Sequence, residues 1–159
     1  MGVETLLVPG ALAVFAITQA RKAWDKIPVS AAPFIDLIAR AERAAGIPPT
    51  LLARMAYQES HFDPNAHNPS GAAGLMQIVP DKHPDVDPYD VNQAVPYAAN
   101  YLKLLHKKFG TWEKALAAYN WGPGSLAQDI AMRGDDWRAG LPRETRNYTA
   151  AIGADVDIT

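Results

Sequence analysis

The sequence predicts a mostly α-helical domain, and three observations carry that expectation. Apolar residues recur at helical spacing almost throughout the chain beyond Lys26, and no internal repeat or low-complexity linker interrupts them. One stretch, Gly71 to Val79, is glycine-rich and then alternating, and has room for no more than a small hairpin or irregular loop beside the helices. At 159 residues, the chain is long enough to bury a core without disulfide or metal staples. A composition of 48% hydrophobic and 20% charged residues argues against global disorder and against a polytopic membrane protein. Fifteen Lys+Arg against 17 Asp+Glu give a net charge of -2, so no basic footprint exists for nucleic acid. Cysteine is absent, which excludes a disulfide framework, a thiol nucleophile and a thiolate metal site but leaves the compartment open.

Taken in order, residues 1–26 read as an apolar N-terminal segment ahead of a domain over 27–159. Thr5 to Ala20 carry no charge, yet the stretch is shorter than the roughly 20 residues needed to span a bilayer, and Pro9-Gly10 interrupts it. Glu4 stands where a secretory signal wants Lys or Arg, and Arg21-Lys22 follow the apolar run; Thr18-Gln19-Ala20 has the form of a cleavage site. Three readings stay open for residues 5–20: a membrane contact, a signal-like segment, or a helix packed on its own domain or on a partner. Pro33 to Ala45 then form an amphipathic helix stopped by Gly46, and Pro49 at a first helical position opens a second, running through Leu52, Met55 and Ala56 to Glu59. Pro80, Pro84 and Pro88 make Asp81 to Asp90 a loop. Val95, Ala98, Ala99, Leu102, Leu105, His106 and Phe109 mark a central core helix ended by Gly110. Thr111 caps the next, with Trp112, Leu116 and Tyr119 on one face; Ser125 to Arg133 and Pro142 to Ile152 complete the set.

Glu59 is the residue with chemistry in prospect. It continues the stripe of Leu52, Met55 and Ala56 at the end of its helix, where the dipole is negative and apolar neighbours disfavour charge. Both effects push its pKa upward, as a general acid requires, although a helix-end glutamate on its own more often turns into water. His61, His67, His83 and His106 form no tight metal-ligand spacing, so no metal site is expected. Asp81, Asp85, Asp87 and Asp90 lack the order of a calcium loop and read as a solvated acidic loop.

Four blocks of sequence extend the argument. Glu59-Ser60-His61-Phe62-Asp63-Pro64-Asn65-Ala66 leads into Ser70-Gly71-Ala72-Ala73-Gly74-Leu75-Met76-Gln77-Ile78-Val79-Pro80, followed by Ala118-Tyr119-Asn120-Trp121-Gly122-Pro123-Gly124 and by Leu141-Pro142-Arg143-Glu144-Thr145-Arg146-Asn147-Tyr148. In this order they resemble the soluble lytic transglycosylase family, relatives of goose-type lysozyme that cleave bacterial peptidoglycan; the third block is close to A-Y-N-A-G-P-G and the fourth matches P-x-E-T-x-x-Y. The resemblance spans about residues 34 to 152. It departs at Ala98, where the family usually has glycine, and at Trp121, which replaces a small residue and bears on helix packing or the groove wall.

The resemblance implies a lysozyme-like α+β fold, a glycan groove, no cofactor and Glu59 as the catalytic acid. Gln77, with a donor and an acceptor, suits the amides and hydroxyls of N-acetylated sugars. Tyr119 and Asn120, at the end of a helix, bring polar tips on an apolar body, though each also reads as an ordinary buried tyrosine and a helix-ending residue. The Tyr148 hydroxyl is implied to reach the catalytic carboxyl. Glu144, in the first turn of the last helix, is kept ionised by the dipole there and serves the site or a cap. The implied reaction breaks the bond between N-acetylmuramic acid and N-acetylglucosamine and closes a 1,6-anhydro ring. Two alternatives stand beside it: a hydrolytic muramidase of the same fold, and a phage virion component that docks on cell-wall glycan. The implied place of action is the periplasm and cell wall, reached by export or by delivery in a virion, with residues 5–20 contacting a membrane or an assembly partner.

Overall fold

A computed structural model describes residues 23–158, so the apolar stretch Thr5 to Ala20 lies outside the described residues. The helices are α1 (Ile35–Ala45), α2 (Leu51–Ser60), α3 (Val91–Phe109), α4 (Trp112–Trp121), α5 (Pro123–Arg133) and α6 (Arg143–Gly153), with 3-10 turns at Val29–Ala31 and Gly134–Gly140. The long α3 packs on α1 and α4; α4 continues the packing to α5 and α6, and α2 lies against α1 and α6. Each helix turns an apolar stripe inward, and Ile38, Leu52, Met55, Leu102, Leu116, Leu126 and Ile152 meet in one core with no exposed surface. Lys26 pairs with Asp155 at 2.6 Å and Trp24 packs against the core, so the chain entering the domain lies beside its last turn.

The structure moves several expected boundaries for identifiable reasons. The central helix begins at Val91 rather than near Val95, because Asp90 caps it: Oδ1 accepts from the Asn92 N–H at 2.9 Å and Oδ2 from Gln93 Nε2 at 2.8 Å. The same bonds, Gln93 foremost, hold the Asp90 carboxyl below its ordinary range. Asp87 likewise accepts from the Tyr89 N–H at 2.9 Å, so two residues of the expected acidic loop shape a turn and a helix start. Pro123 opens α5 two residues ahead of Ser125. The 3-10 turn at Gly134–Gly140 is a piece the helical periodicity does not reveal.

The glycine-rich stretch forms no strand among the described residues. Isolated bridges join His67 to Ala73 and Ala73 to Ile78, and Ala73 and Ile78 exchange N–H···O bonds of 3.0 Å. Gly74 has φ +71, and a Cβ there would lie 1.8 Å from the Pro88 carbonyl oxygen, so the loop meets the 81–90 segment main chain to main chain. Ser60 Oγ, at the end of α2, donates to the Leu75 carbonyl at 2.8 Å and ties the loop to the helix.

Pro49 does not open α2. The helix starts at Leu51 behind Thr50, which has φ 70 and makes no side-chain cap of its own. The cap comes from α1: Glu42, 2% exposed, accepts from the Thr50 N–H at 2.9 Å, the Leu52 N–H at 2.9 Å and the Ala53 N–H at 3.3 Å. These are the orphan donors of a helix start, met by a carboxylate from another helix. Burial pushes the Glu42 carboxyl up to about 7, and the three N–H groups pull it back.

This arrangement predicts a measurable loss in Glu42→Gln. A carboxyl keeps acceptor lone pairs on both oxygens, whereas the amide turns an N–H₂ donor toward a backbone donor, at a cost of about 2 kcal/mol. The group also binds its proton more tightly folded, near 7, than at the ordinary 4.5. Its stabilisation is therefore full below 4.5 and is lost as pH rises through about 7. Urea unfolding should show lower stability in the mutant and a shallower decline over that window; equal stability and equal slope would contradict the cap.

Candidate active site

Glu59 is placed by the end of α2. The helix closes one residue later at Ser60, and His61 and Phe62 follow with φ 54 and 66. Left-handed backbone costs roughly 1–2 kcal/mol per side-chain-bearing residue, so packing must hold it. Tyr57 meets the His61 ring edge-on at 4.6 Å, and Phe62 is buried at 4% exposure. The tight reversal stops the helix with Glu59 half-buried in the wall of a cavity of about 670 Å³.

All six residues singled out from sequence line that one cavity: Glu59, Gln77, Tyr119, Asn120, Glu144 and Tyr148. Five of them, all but Glu144, are held by a bond that crosses between elements or closes the loop. Tyr148 Oη, from α6, donates to Glu59 Oε1 at 2.6 Å. Tyr119 Oη donates to the Met76 carbonyl at 2.9 Å, pinning the loop to α4. Thr145 Oγ1 donates to Asn120 Oδ1 at 2.8 Å, joining the end of α4 to α6. Gln77 differs from its expected use. With φ 48, it turns Nε2 back to the Gly74 carbonyl at 3.0 Å and the Ala66 carbonyl at 3.4 Å, so its donors brace the loop and Oε1 remains as the acceptor. Glu144 makes no cap: Pro142 stands at the N-cap without a side-chain bond, and Glu144 is exposed at the cavity wall.

The electrostatics centre on Glu59. Burial raises its carboxyl to about 7, the Tyr148 bond opposes this, and the negative charge of Glu144 adds to it. Burial acts in the expected direction, and Glu144 is a contributor that the local sequence does not show. Tyr148 and Tyr119 are pushed well above the usual tyrosine range by burial and by the charge of Glu59, so both stay phenols. Two carboxylates close to the motif blocks stay apart from the site: Asp63 turns to the Asn65 N–H at 2.9 Å and is exposed, and neither it nor Asp81 lines the cavity. Among the described residues no group of His, Asp and Glu is arranged to hold a metal ion.

The cavity also includes residues that periodicity does not mark. His83 pairs its Nδ1 with Tyr97 Oη at 2.8 Å and sets its ring edge to Tyr101 at 5.0 Å; Tyr101 leans on Tyr119 at 5.8 Å. Burial and Lys82 lower the His83 pKa. His83 sits in a proline-bounded loop with no period, so its place in the wall has no local signal; Tyr101 is spaced from Ala98 and Leu105 as a helix residue, which marks a face but not a cavity. Ala98 is fully buried in α3, and Trp121 lines the cavity, half-buried.

Comparison with known proteins agrees with this architecture. The family described as Transglycosylase SLT domain matches residues 36–138. Membrane-bound lytic murein transglycosylase F of Nitrosospira multiformis is 38% identical over 113 residues, 61% of this chain and 24% of that protein. Membrane-bound lytic murein transglycosylase D of Escherichia coli K12 is 32% identical over 151 residues, 83% of this chain and 32% of that protein. The chain thus spans about a quarter to a third of the length of these relatives. Lytic transglycosylase Slt of Pseudomonas aeruginosa, solved as an inactive mutant, superposes with a TM-score of 0.65 at 23% identity, covering 92% of this chain and 29% of that one. The 70 kDa soluble lytic transglycosylase of Escherichia coli gives 0.56 at 23% identity, over 93% and 30%. The fold is therefore that of the lytic transglycosylases, and with the family match covering most of its length, this chain belongs to the SLT transglycosylase domain family.

Proposed function

We propose that this chain is a peptidoglycan lytic transglycosylase, cleaving the β-1,4 bond between N-acetylmuramic acid and N-acetylglucosamine with Glu59 as acid and then base. The observation that carries the reading is the Tyr148–Glu59 bond of 2.6 Å within a cavity that raises the carboxyl to about 7. Because Oε1 accepts from Tyr148, the proton of the neutral carboxyl lies on Oε2. That oxygen gives its proton to the glycosidic oxygen as the bond to the anomeric carbon breaks. The carboxylate left behind is steadied by the Tyr148 hydroxyl, whose bond favours the charged form. Oε2 then takes the proton of the muramic C6 hydroxyl while that oxygen bonds to the anomeric carbon, closing the 1,6-anhydro ring and returning Glu59 to its neutral form. Effective molarities of well-oriented internal groups reach roughly 10⁵ M or more, so the C6 hydroxyl competes successfully with water.

The site of action in this reading is the murein of the periplasm and cell wall. Among the described residues no helix is long and apolar enough to cross a membrane; the uncharged, apolar composition of residues 5–20 is what supports contact with a membrane or an assembly partner there. A second reading, hydrolysis by a muramidase, is favoured by one observation: Glu144 lines the same cavity as Glu59 and offers a second carboxylate.

Four outcomes test the proposal. Glu59→Gln keeps the side chain's shape but has no proton of the required acidity, and should release less than about a thousandth of the wild-type muropeptides from purified sacculi. Since the acid must be protonated before the reaction, wild-type activity should fall as pH climbs through about 7; a rate flat into alkaline conditions would reject Glu59 in this role.

Tyr148→Phe removes the hydroxyl without opening a large cavity. Its turnover should drop by about a hundredfold, as for loss of a preorganised donor, while its melting temperature moves little. A mutant that melts far below wild type but retains full specific activity would make Tyr148 a packing residue.

Mass analysis of the products separates the two readings. Anhydromuramic ends, one water lighter than hydrolysis products and resistant to borohydride, are expected. Reducible ends carrying labelled oxygen from solvent would favour hydrolysis, with Glu144→Gln as the variant that should then abolish it.

A further inference from the structure

Trp121 is the last residue of α4 and lines the cavity that holds Glu59. One side of it packs against the core, but unlike Ala115, Leu116, Ala117 and Ala118 of the same helix, which are fully buried, Trp121 is half-buried and keeps open surface. Gly122, with φ 100, turns the chain, and Gly122 and Pro123 line the same cavity. Neither the glycine nor the proline adds a polar side chain to this part of the wall. The rest of the cavity lining includes amides and a hydroxyl, those of Asn68, Ser70, Asn120 and Asn147. A flat apolar surface within polar walls is matched by a β-linked hexosamine ring, whose equatorial hydroxyls and amide lie at the rim and whose faces are C–H.

We infer that Trp121 is a stacking platform for one pyranose ring of an N-acetylated glycan strand, giving this chain an affinity element where the motif it resembles has a small residue. The inference rests on the glycan-cleaving reading and names a residue that sets how tightly the strand is held. Trp121 binds a ring face while Asn120, anchored by Thr145 at 2.8 Å, presents its amide N–H₂ nearby in the wall. Its indole is also a reporter, since the other tryptophans stand elsewhere: Trp112 stacks on His106 at 3.9 Å, Trp137 is buried at 3% exposure, and Trp24 packs against the core.

The test uses the full chain carrying Glu59→Gln, so that ligand stays intact, titrated with the β-1,4-linked tetramer of N-acetylglucosamine. Tryptophan emission and calorimetry are read together. Binding should shift or quench the emission, and Trp121→Phe should abolish that change while retaining most of the affinity. Trp121→Ala should raise Kd about tenfold, the scale of a lost aromatic stack. In the otherwise wild-type chain, Trp121→Ala should raise the half-saturating concentration of sacculi while the pH profile of turnover stays in place. Equal Kd for parent and Trp121→Ala, emission unmoved by bound tetramer, or no binding to the parent would each overturn the platform. Sacculi left uncut by wild type, with tetramer still bound through Trp121, would overturn the cleavage reading and leave the platform standing.

Discussion

The carboxyl of Glu42 against the start of α2 is the interaction on which the rest of the site depends. A helix of ten residues has little intrinsic stability in water, and α2 begins behind a left-handed threonine with no cap of its own. Three N–H groups from Thr50, Leu52 and Ala53 meet one buried carboxyl instead. That fixes one end of α2 against α1, and the Ser60–Leu75 bond fixes the other against the glycine loop. Glu59 is thus presented to the cavity from a helix clamped at both termini, which fixes where its carboxyl lies.

The cavity is assembled on the same principle of shared bonds. Tyr119 reaches back to Met76, Thr145 to Asn120, and Tyr148 to Glu59, so loop, α4, α6 and α2 are joined by contacts that are also the polar lining. Each hydroxyl thereby has a partner in the absence of substrate, and none pays the cost of burial alone. The two raised carboxyls, at 42 and 59, differ in consequence. Both are lifted by desolvation, but one is turned wholly to backbone donors and the other keeps an oxygen for the cavity.

Much of this was legible in the residues, and the remainder was hidden for physical reasons. Helix ends marked by a glycine stop, at Gly46 and Gly110, fall where the pattern puts them. Beginnings were harder: α3 starts earlier because Asp90 caps it, and α2 later because its cap is borrowed from Glu42, which lies on the buried stripe of α1 with Ile38 and Ala45. The six site residues do gather at one cavity, because the motif blocks preserve their order. Gln77 shows the limit of residue type as a guide, since its amide is spent on the loop that carries it. The repulsion between Glu144 and Glu59 joins the last helix to the second, a pairing that no local window contains.

The missing Cβ of Gly74 has a consequence for how the glycine loop seats on its neighbour. At that point the loop rests on the Pro88 carbonyl main chain to main chain, with the Gly74 N–H donated to the Ala66 carbonyl at 2.8 Å. The gap between the loop and the segment leading into α3 is therefore gauged by peptide units, whose dimensions do not vary with sequence. Any side chain added at Gly74 would have to prise the two segments apart, and with them the stretch of loop that carries Gln77, Ile78 and Val79 into the cavity wall.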